Sequence, residues 1–331
     1  MPAPLQRSGL LLAGALALVS CLVAHLIPGV SALLISIVLG VAARNVGILP
    51  QWGDPGLAYA SRVPLRLGIV LLGLQLSLPD LFARGWGLPA LAVLVVGLGI
   101  LGTLGLARIL GVERKQALLV ACGFSICGAA AVAGVESSVD AREKETVTAV
   151  ALVVLFGTLM IPLIPGAGAL LGLSAEQTAL WAGASVHEVG QVVAIGGLLG
   201  GGALGLAVSM KLARVLLLAP VAAILGAGSR TSGAGTHDAR ETPAKRPPLV
   251  PLFLVGFVLA AVLRSVLPVP QEVLTVASLL QEFLLATAMF SLGAGVHVRT
   301  LLSGSGRLLA LATGSTLLVT VLGLGGALAI A

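Results

Sequence analysis

The sequence contains few charged residues. Asp, Glu, Lys and Arg make up 10% of its 331 residues, against roughly 25% in soluble globular proteins. Apolar residues make up 58%, and the 44 glycines add about 13% more. So few charges cannot cover the surface of a water-soluble fold, and the composition predicts a polytopic membrane protein.

Aromatic residues and cysteines are also scarce. Seven Phe, three Trp and one Tyr argue against the aromatic stacking platforms that bind nucleic acid. Cys21, Cys122 and Cys127 all lie in apolar stretches, and an odd set of this kind is not a disulfide framework. Arg7 and the apolar run ending at Cys21 resemble a lipoprotein signal, but the residues beyond are equally apolar, so we interpret this run as a first span.

Sequence motifs for cofactors and metals are missing. We find no Walker motif, no Rossmann fingerprint and no metal-spaced Cys/His cluster. We therefore expect no cofactor, no metal and no ATP-driven transport by this chain alone. The absence of a recurring period-2 pattern argues against an outer-membrane barrel.

Apolar stretches with lengths near the roughly 20 residues of a membrane span recur along the whole chain. We predict an all-α, polytopic transmembrane helix bundle of ten or eleven spans in a single membrane domain, 1–331, with a flexible polar cytoplasmic loop at 226–248. The stretch at 30–44 is short and leaves a re-entrant segment open. The eleven stretches are 8–27, 30–44, 63–79, 87–110, 116–135, 146–172, 177–199, 204–226, 249–266, 272–294 and 307–330.

Lys and Arg are distributed unevenly among the predicted loops. With the N-terminus inside, 13 lie on the inner side and 4 on the outer side, and Lys211 and Arg214 fall within a span. By the positive-inside rule, this predicts a multi-pass protein of the cell (inner) membrane with a cytoplasmic N-terminus and an external C-terminus. It also accounts for the net charge of +6 without nucleic acid as a partner.

A weak internal symmetry links the third and tenth predicted spans, which run in opposite directions. Leu72-Gly73 and Leu292-Gly293 are followed by apolar residues at the same spacing. Inverted repeats are a common plan of transporters, although chance matching of apolar segments explains the similarity equally well.

Two motifs rich in Gly and Ser lie near the centres of predicted spans: CGFSICGAAAVAG from Cys122 and GASVHEVGQVVAIGG from Gly183. Such residues either allow close helix packing or break a helix, which exposes N–H groups that bind anions. Counted as crossings, the two segments run parallel, whereas inverted partners run antiparallel; either they are not equivalent or a span is miscounted. The candidate binding residues are Gly123, Ser125, Cys127, Gly128 and Ser185.

His187 and Glu188 are the most informative residues, because an ionisable group at the bilayer centre costs roughly 2.5–3.5 kcal/mol. Gln191 shares a helix face with each of them, so the three indicate a wet surface. A structural ion pair with Lys211 or Arg214 is the alternative. The pentad lacks the second His of the H-E-x-x-H zinc motif, which leaves an intramembrane metalloprotease as a remote alternative.

Lys211 and Arg214 lie one turn apart, about ten ångströms into a predicted span. They can neutralise Glu188, attract an anionic substrate, or reach the interface by snorkelling. Gln75 is a lone amide in the third span, where a ligand contact and an interhelical hydrogen bond are equally good interpretations.

Four motifs, in order, carry a family resemblance: LLGLQLSLPDL, CGFSICGAAAVAG, GASVHEVGQVVAIG and KLARVLLLAPV. Over roughly residues 10–330 the sequence resembles the YeiH-type bacterial inner-membrane proteins, which are labelled sulfate exporters. The resemblance implies a multi-pass protein related to bile-acid-symporter-like carriers, with inverted repeats and crossing broken helices. It supplies no binding residues.

The expected function is secondary transport, as an exporter, of a small inorganic or organic anion, with sulfate or sulfite implied by the resemblance. A proton or sodium ion is the expected coupling ion, and the lipid bilayer is the expected surroundings. A cation/proton antiporter using Glu188 and His187 is the alternative. We expect no enzyme activity and no catalytic residue, and the sequence leaves a homo-oligomer open.

Overall fold

A computed structural model describes residues 4–27, 32–83, 85–136, 138–200, 202–232, 252–295 and 306–330. These ranges contain helices and no strand, which confirms the all-α polytopic bundle. The helices are α1 Pro4–Leu26, α2 Ala32–Val46, α3 Asp54–Ala60, α4 Val63–Leu72, α5 Leu78–Ala83, α6 Gly87–Leu110, α7 Arg114–Ser125, α8 Ala129–Val135, α9 Glu143–Leu170, α10 Ala175–Ser185, α11 Val189–Leu199, α12 Ala203–Leu216, α13 Leu218–Ser232, α14 Leu252–Val266, α15 Gln271–Ala294 and α16 Gly306–Ile330.

Seven helical stretches in the described ranges are long and apolar enough to cross a bilayer: Ser8–Leu26, Asp54–Gln75, Gly87–Leu110, Lys144–Leu170, Ala203–Ala227, Gln271–Ala294 and Gly306–Ile330. Helices satisfy their own backbone hydrogen bonds, which lipid cannot do. Two shorter apolar helices, α2 and α14, have 15 residues each. Counted with these two, the described ranges contain nine apolar helical segments outside the stretches at 116–135 and 177–199.

The stretch predicted as a span at 116–135 is a hairpin that turns back inside the membrane. Helix α7 ends at Ser125 and α8 begins at Ala129. The ends of the hairpin lie together, because Lys115 pairs with Asp140 at 2.9 Å and Glu113 with Arg142 at 3.5 Å. We call residues 114–135 the first hairpin.

The stretch predicted as a span at 177–199 is a second hairpin, formed by α10 and α11 and entering from the opposite side. Both arms run beside the start of α12: Gly183 packs against Ala207, and Gly196 against Leu204. Farther along, α13 packs against the first hairpin, where Leu218 lies beside Gly134. Helix α12 therefore passes one hairpin and then the other. We call residues 175–199 the second hairpin.

The two hairpins change the topology expected from the sequence. The predicted ten or eleven spans include two stretches that enter and leave on one side. The stretches at 116–135 and 177–199, which run parallel when counted as crossings, therefore enter the membrane from opposite sides, as inverted repeats require. Arg142 and Lys144 move to the side of Lys115, which changes the Lys and Arg count from 13 against 4 to 15 against 2.

The helices form two bodies with few contacts between them. The scaffold body comprises α1–α4, α14 and α15. Its helices approach closely at glycines: Gly40 lies against the main chain of Phe290, and Gly73 against that of Phe257.

The hairpin body comprises both hairpins with α6, α9, α12, α13 and α16. Its long helices are also tightly joined, since the hydroxyls of Thr103 and Ser315 are 2.7 Å apart. Both hairpins thus belong to one of the two bodies.

Two sequence predictions lie largely outside the described residues. Helix α13 continues to Ser232, inside the predicted loop at 226–248, and residues 233–251 are not described. The apolar positions that follow Leu292-Gly293, from residue 296 onward, also lie outside the described ranges.

Candidate functional site

The tips of the two hairpins meet within the hairpin body. The first tip comprises residues 126–128 and the second residues 186–188. Gly128 has φ +76° and ψ −134°, a combination that is essentially restricted to glycine and that reverses the chain here. Four helix ends therefore converge: the C-terminal ends of α7 and α10, and the N-terminal ends of α8 and α11.

Lys211 is fully buried at this junction. Its Nζ donates hydrogen bonds to the carbonyl oxygens of Ile126 at 2.9 Å, Val186 at 2.7 Å and His187 at 2.6 Å. These bonds use all three protons of an ammonium group and join the two tips.

Arg214, one turn farther along α12, is also fully buried. It donates hydrogen bonds to the C-terminal ends of α7 and α10. Its guanidinium donates to the carbonyls of Phe124 at 3.0 Å and Ser125 at 3.0 Å in the first hairpin. In the second hairpin it donates to Gly183, Ala184 and Val186 at 2.7–3.2 Å.

The two cations thus complement the helix ends that carry partial negative charge. Because both side chains are completely buried, neither of them reaches the membrane interface by snorkelling. Within the described part of the chain, neither lies within ion-pair distance of Glu188.

Glu188 lies at the opposite kind of helix end. Its Oε1 accepts a hydrogen bond from the N–H of Ala129 at 3.0 Å, the first residue of α8. Its own N–H donates to Oε1 of Gln191 at 3.0 Å, and Gly157 makes room for that amide. A carboxylate thus faces the partial positive charge of a helix N-terminus.

His187 points from the second tip toward both α7 and α16. Its Nδ1 lies 3.3 Å from the carbonyl oxygen of Phe124, and its Nε2 lies 3.2 Å from the hydroxyl of Thr316. A carbonyl only accepts hydrogen bonds, so Nδ1 carries the proton. The ring also packs on Phe124, with centroids 4.4 Å apart.

The two serines of the predicted site differ. The Oγ of Ser185 donates to the carbonyl of Trp181 at 2.6 Å. The Oγ of Ser125 is buried and has no hydrogen-bond partner among the described residues, and it packs against Gly99. Ser125 is therefore the serine with hydrogen-bonding capacity to spare.

The remaining predicted residues divide between the junction and the scaffold. Cys127 is buried in the first tip, and Gly123 packs beside Val132 within the first hairpin. Gln75 lies in the scaffold body, where its amide donates to Gln281 and lies 3.3 Å from the hydroxyl of Ser278. The structure therefore gives Gln75 an interhelical hydrogen bond and does not bring it to the junction.

Several groups at the junction carry no distinguishing feature in the sequence. The carbonyls that receive Lys211 and Arg214 belong to main chain, and the N–H of Ala129 does too. Thr316, Gly99 and Gly157 stand in long apolar helices among many similar residues, so residue type did not single them out.

The charge at the junction does not balance. In their ionised forms, Lys211 and Arg214 supply two positive charges and Glu188 one negative charge. Two helix N-termini and two C-termini, each equivalent to roughly half a charge, cancel one another. One positive charge is left over in a buried space. Across the described ranges, the junction included, no three His, Cys, Asp or Glu side chains come together in a group that would hold a metal ion.

Comparison with known proteins identifies the family. The family model described as conserved hypothetical protein 698 matches residues 8–312. The chain belongs to the conserved hypothetical protein 698 family. This confirms the recognition of a bacterial multi-pass membrane protein family from the four motifs.

Relatives of this family member are named UPF0324 membrane proteins. One from Corynebacterium glutamicum is 51% identical over 320 residues, which cover 97% of this chain and 91% of the relative. One from Pseudomonas aeruginosa is 39% identical and covers 88% and 84%. One from Listeria monocytogenes is 34% identical and covers 80% and 78%. No solved structure matches.

Proposed function

We propose that this protein is a secondary transporter that exports a small anion and binds it at the junction of the two hairpin tips. One observation carries the proposal: two buried cations and a single buried carboxylate lie together at this junction. Because an uncompensated charge is costly in a membrane protein, a substrate of charge −1 or −2 is the natural complement.

The two-body architecture supports alternating access. The junction lies in the hairpin body, and few contacts tie that body to the scaffold body. A cavity of about 10 Å³ lies on the boundary, lined by Leu33, Ile37, Val154, Glu188 and Gln191 among others. Movement of one body against the other would expose the junction to each side in turn.

Each charged residue then has a distinct task. Lys211 and Arg214 hold the tips together and provide positive potential. Glu188 carries the coupling proton, because its protonation raises the positive charge of the junction by one and strengthens anion binding. His187 keeps the second tip against α16 through Thr316.

Orientation and substrate extend the same proposal. Fifteen Lys and Arg on one side against two on the other support a cytoplasmic N-terminus and a location in the inner membrane of a bacterium. Sulfate or sulfite is the proposed substrate, on the basis of the family resemblance.

Flux measurements with purified protein in liposomes test the proposal. Labelled sulfate or sulfite should move, and an inward proton gradient should change its rate. Glu188→Gln retains a side-chain oxygen for Ala129 but removes the charge, so it should abolish the response to pH.

Glu176→Gln is the matched control, because Glu176 is an exposed carboxylate in the first turn of the same hairpin. If sulfate and sulfite do not move, or if both variants respond to pH like the unmodified protein, the proposal fails.

A cation/proton antiporter is the second candidate, and the position of Glu188 favours it. Its carboxylate and the amide of Gln191 line the same small cavity, and oxygen atoms are the ligands of sodium-like cations. Sodium flux coupled to protons and indifferent to anions would establish this function in place of the first. The intramembrane metalloprotease is not proposed.

A further inference from the structure

Two membrane-crossing helices of the hairpin body, α6 and α16, pack against each other in opposite directions. Leu106 of α6 lies against Gly314 of α16. One turn earlier in α6, Gly102 lies against Leu318. The C-terminal end of α6 is therefore beside the N-terminal end of α16, on the side from which the first hairpin enters. Both helices are long and apolar enough to cross a bilayer, so these two ends lie at the level of the lipid headgroups.

Three arginines stand at this shared end: Arg108 in the last turn of α6, Arg114 at the start of α7 and Arg307 at the start of α16. All three are exposed. Arg307 reaches across to the end of α6, since a Cβ atom on Gly111 would lie 3.3 Å from its Nη1. Gly111 has φ +65°, the left-handed conformation that commonly ends a helix. We call these three arginines the arginine cluster.

The carboxylates near the arginine cluster lie against other cations. Asp140 pairs with Lys115 at 2.9 Å. Glu145 pairs with Arg142 at 2.5 Å, and Glu113 lies 3.5 Å from the same Arg142. Within the described ranges, no carboxylate lies within ion-pair distance of an arginine of the cluster.

The shared end therefore carries a net positive charge. Residues 108–115, residues 140–145 and Arg307 together contain six Lys and Arg and four Asp and Glu, which leaves a charge of +2. Cations at this level attract anionic headgroups, and a planar guanidinium binds phosphate oxygens in pairs. The chemistry of the arginine cluster is thus suited to phosphate.

An exposed apolar surface continues from the arginine cluster into the membrane. On α6, Ile109 is 82% exposed, and Leu101, two turns deeper, is exposed as well. Gly105 lies between them, with no atom within 4 Å of a Cβ, so the surface of α6 is open there. Leu317 and Val321 of α16 are also exposed. A free anion would make no use of this apolar surface, and an acidic peptide would lie outside the bilayer, so the combination matches a phospholipid.

We propose that the arginine cluster is a binding site for an anionic phospholipid, whose phosphate lies among the three guanidinium groups and whose acyl chains lie along α6 and α16. Helix α6 packs on the first hairpin at Gly99, and α16 packs on the second hairpin at Gly323. The lipid therefore stabilises the pair of helices that supports both hairpins. Its binding does not depend on the proposed function.

Native mass spectrometry of the purified full chain measures the binding, with cardiolipin, phosphatidylglycerol and phosphatidylcholine as probes. The two anionic lipids should bind about tenfold or more tightly than phosphatidylcholine, because their headgroups carry net negative charge. Arg307→Gln should weaken the binding of the anionic lipids about fivefold. The double variant Arg307→Gln with Arg114→Gln should weaken it about 25-fold.

Arg264→Gln is the matched control, because Arg264 stands in the last turn of the apolar helix α14, next to the exposed Leu263. It should leave the binding of all three lipids unchanged. In phosphatidylcholine nanodiscs all variants should unfold at the temperature of the unmodified protein, since the replaced side chains are exposed. Added cardiolipin should raise that temperature for the unmodified protein and for Arg264→Gln more than for the double variant.

Glycerol 3-phosphate separates a lipid from a free phosphate, because it has the phosphate without acyl chains. It should not displace cardiolipin. Equal affinity for the three lipids, an equal effect of Arg307→Gln and Arg264→Gln, or displacement by glycerol 3-phosphate overturns the proposal. Selective lipid binding in a protein that moves no anion supports it, and only the proposed function then fails.

Discussion

The carboxylate of Glu188 accepts a hydrogen bond from the N–H of Ala129 at 3.0 Å, across the gap between the two hairpins. The bond joins a titratable side chain of one hairpin to the first residue of a helix in the other. Loss of its charge therefore acts on both tips at once. In the proposed transport mechanism, Glu188 is therefore the residue that links protonation to movement of the junction.

The hairpin topology predicts which positions share a side of the membrane. Glu113→Cys and Asp140→Cys flank the first hairpin and should react with an impermeant maleimide in the same vesicle orientation. Glu176→Cys, before the second hairpin, should react in the opposite orientation. The native Cys122 and Cys127 are buried, whereas Cys21 is partly exposed, so Cys21 is replaced by alanine in all three variants to keep the background low.

Vesicles of both orientations, prepared from the same cells, provide the comparison. A crossing helix at 116–135 would place Glu113→Cys and Asp140→Cys on opposite sides. That labelling pattern would rule out the first hairpin.

Replacing Arg214 by lysine should destabilise the protein, although the charge is kept. Lysine has three donors at one point, so it can replace at most three of the five hydrogen bonds that the guanidinium fork makes to the two hairpins. Hydrogen bonds to charged groups contribute about 1.5–3 kcal/mol each, so Arg214→Lys should lower the free energy of unfolding by about 2–4 kcal/mol.

The measurement is thermal unfolding in nanodiscs, followed by tryptophan fluorescence. Arg108→Lys, at an exposed position of α6, should unfold like the unmodified protein. An Arg214→Lys variant of normal stability would show that the hydrogen bonds from the guanidinium to the carbonyls do not stabilise the protein.

Gly128→Ala should impair transport more than its backbone strain explains. A Cβ atom at this position would lie 2.5 Å from Cγ of Glu188, so it would displace the carboxylate. Gly200→Ala is the matched control, because Gly200 has φ +67° and ψ −167° and no atom within 4 Å of a Cβ.

Both alanine variants should lose about 1–3 kcal/mol of stability from strain, but only Gly128→Ala should also lose most of its anion flux. Unfolding and flux are measured on the same preparations. Similar anion flux in the two variants would show that transport does not depend on the position of the Glu188 carboxylate at the tips.

Ser125→Ala should reduce anion flux several-fold without loss of stability. The hydroxyl of Ser125 is buried and has no partner within the described ranges, so its removal costs the fold no hydrogen bond. Ser185→Ala loses only a bond to the Trp181 carbonyl and should transport normally. If the two variants transport equally well, Ser125 serves only to pack against Gly99.

The sequence predicts the helices well but not the direction of the chain at 116–135 and 177–199. A membrane span with a central break and a hairpin that turns back have the same sequence pattern, which is about twenty apolar residues with glycine in the middle. Counting alternate sides therefore placed Arg142 opposite Lys115, although Lys115 in fact pairs with Asp140 on the same side. Only a contact between distant residues distinguishes the two arrangements.

At the junction, too, residue types predicted some of the interacting groups but not others. The cost of burying charge singled out Glu188, Lys211 and Arg214, and the structure brings all three to one place. Their partners are main-chain groups, which every residue has, so the sequence did not identify them. Gln75 satisfied the same criterion of polarity in an apolar span, yet its partner is another glutamine in the scaffold body.

The carbonyls at the first tip accept hydrogen bonds from donors on α12, 85–89 residues later in the chain. During synthesis the first hairpin therefore leaves the ribosome with a polar tip that has no partner yet. It cannot settle in lipid on its own, because unpaired carbonyls are costly there. Insertion of α12 must precede the final seating of the first hairpin, so a chain interrupted before Lys211 would be recognised by quality-control proteases rather than accumulate as a partial transporter.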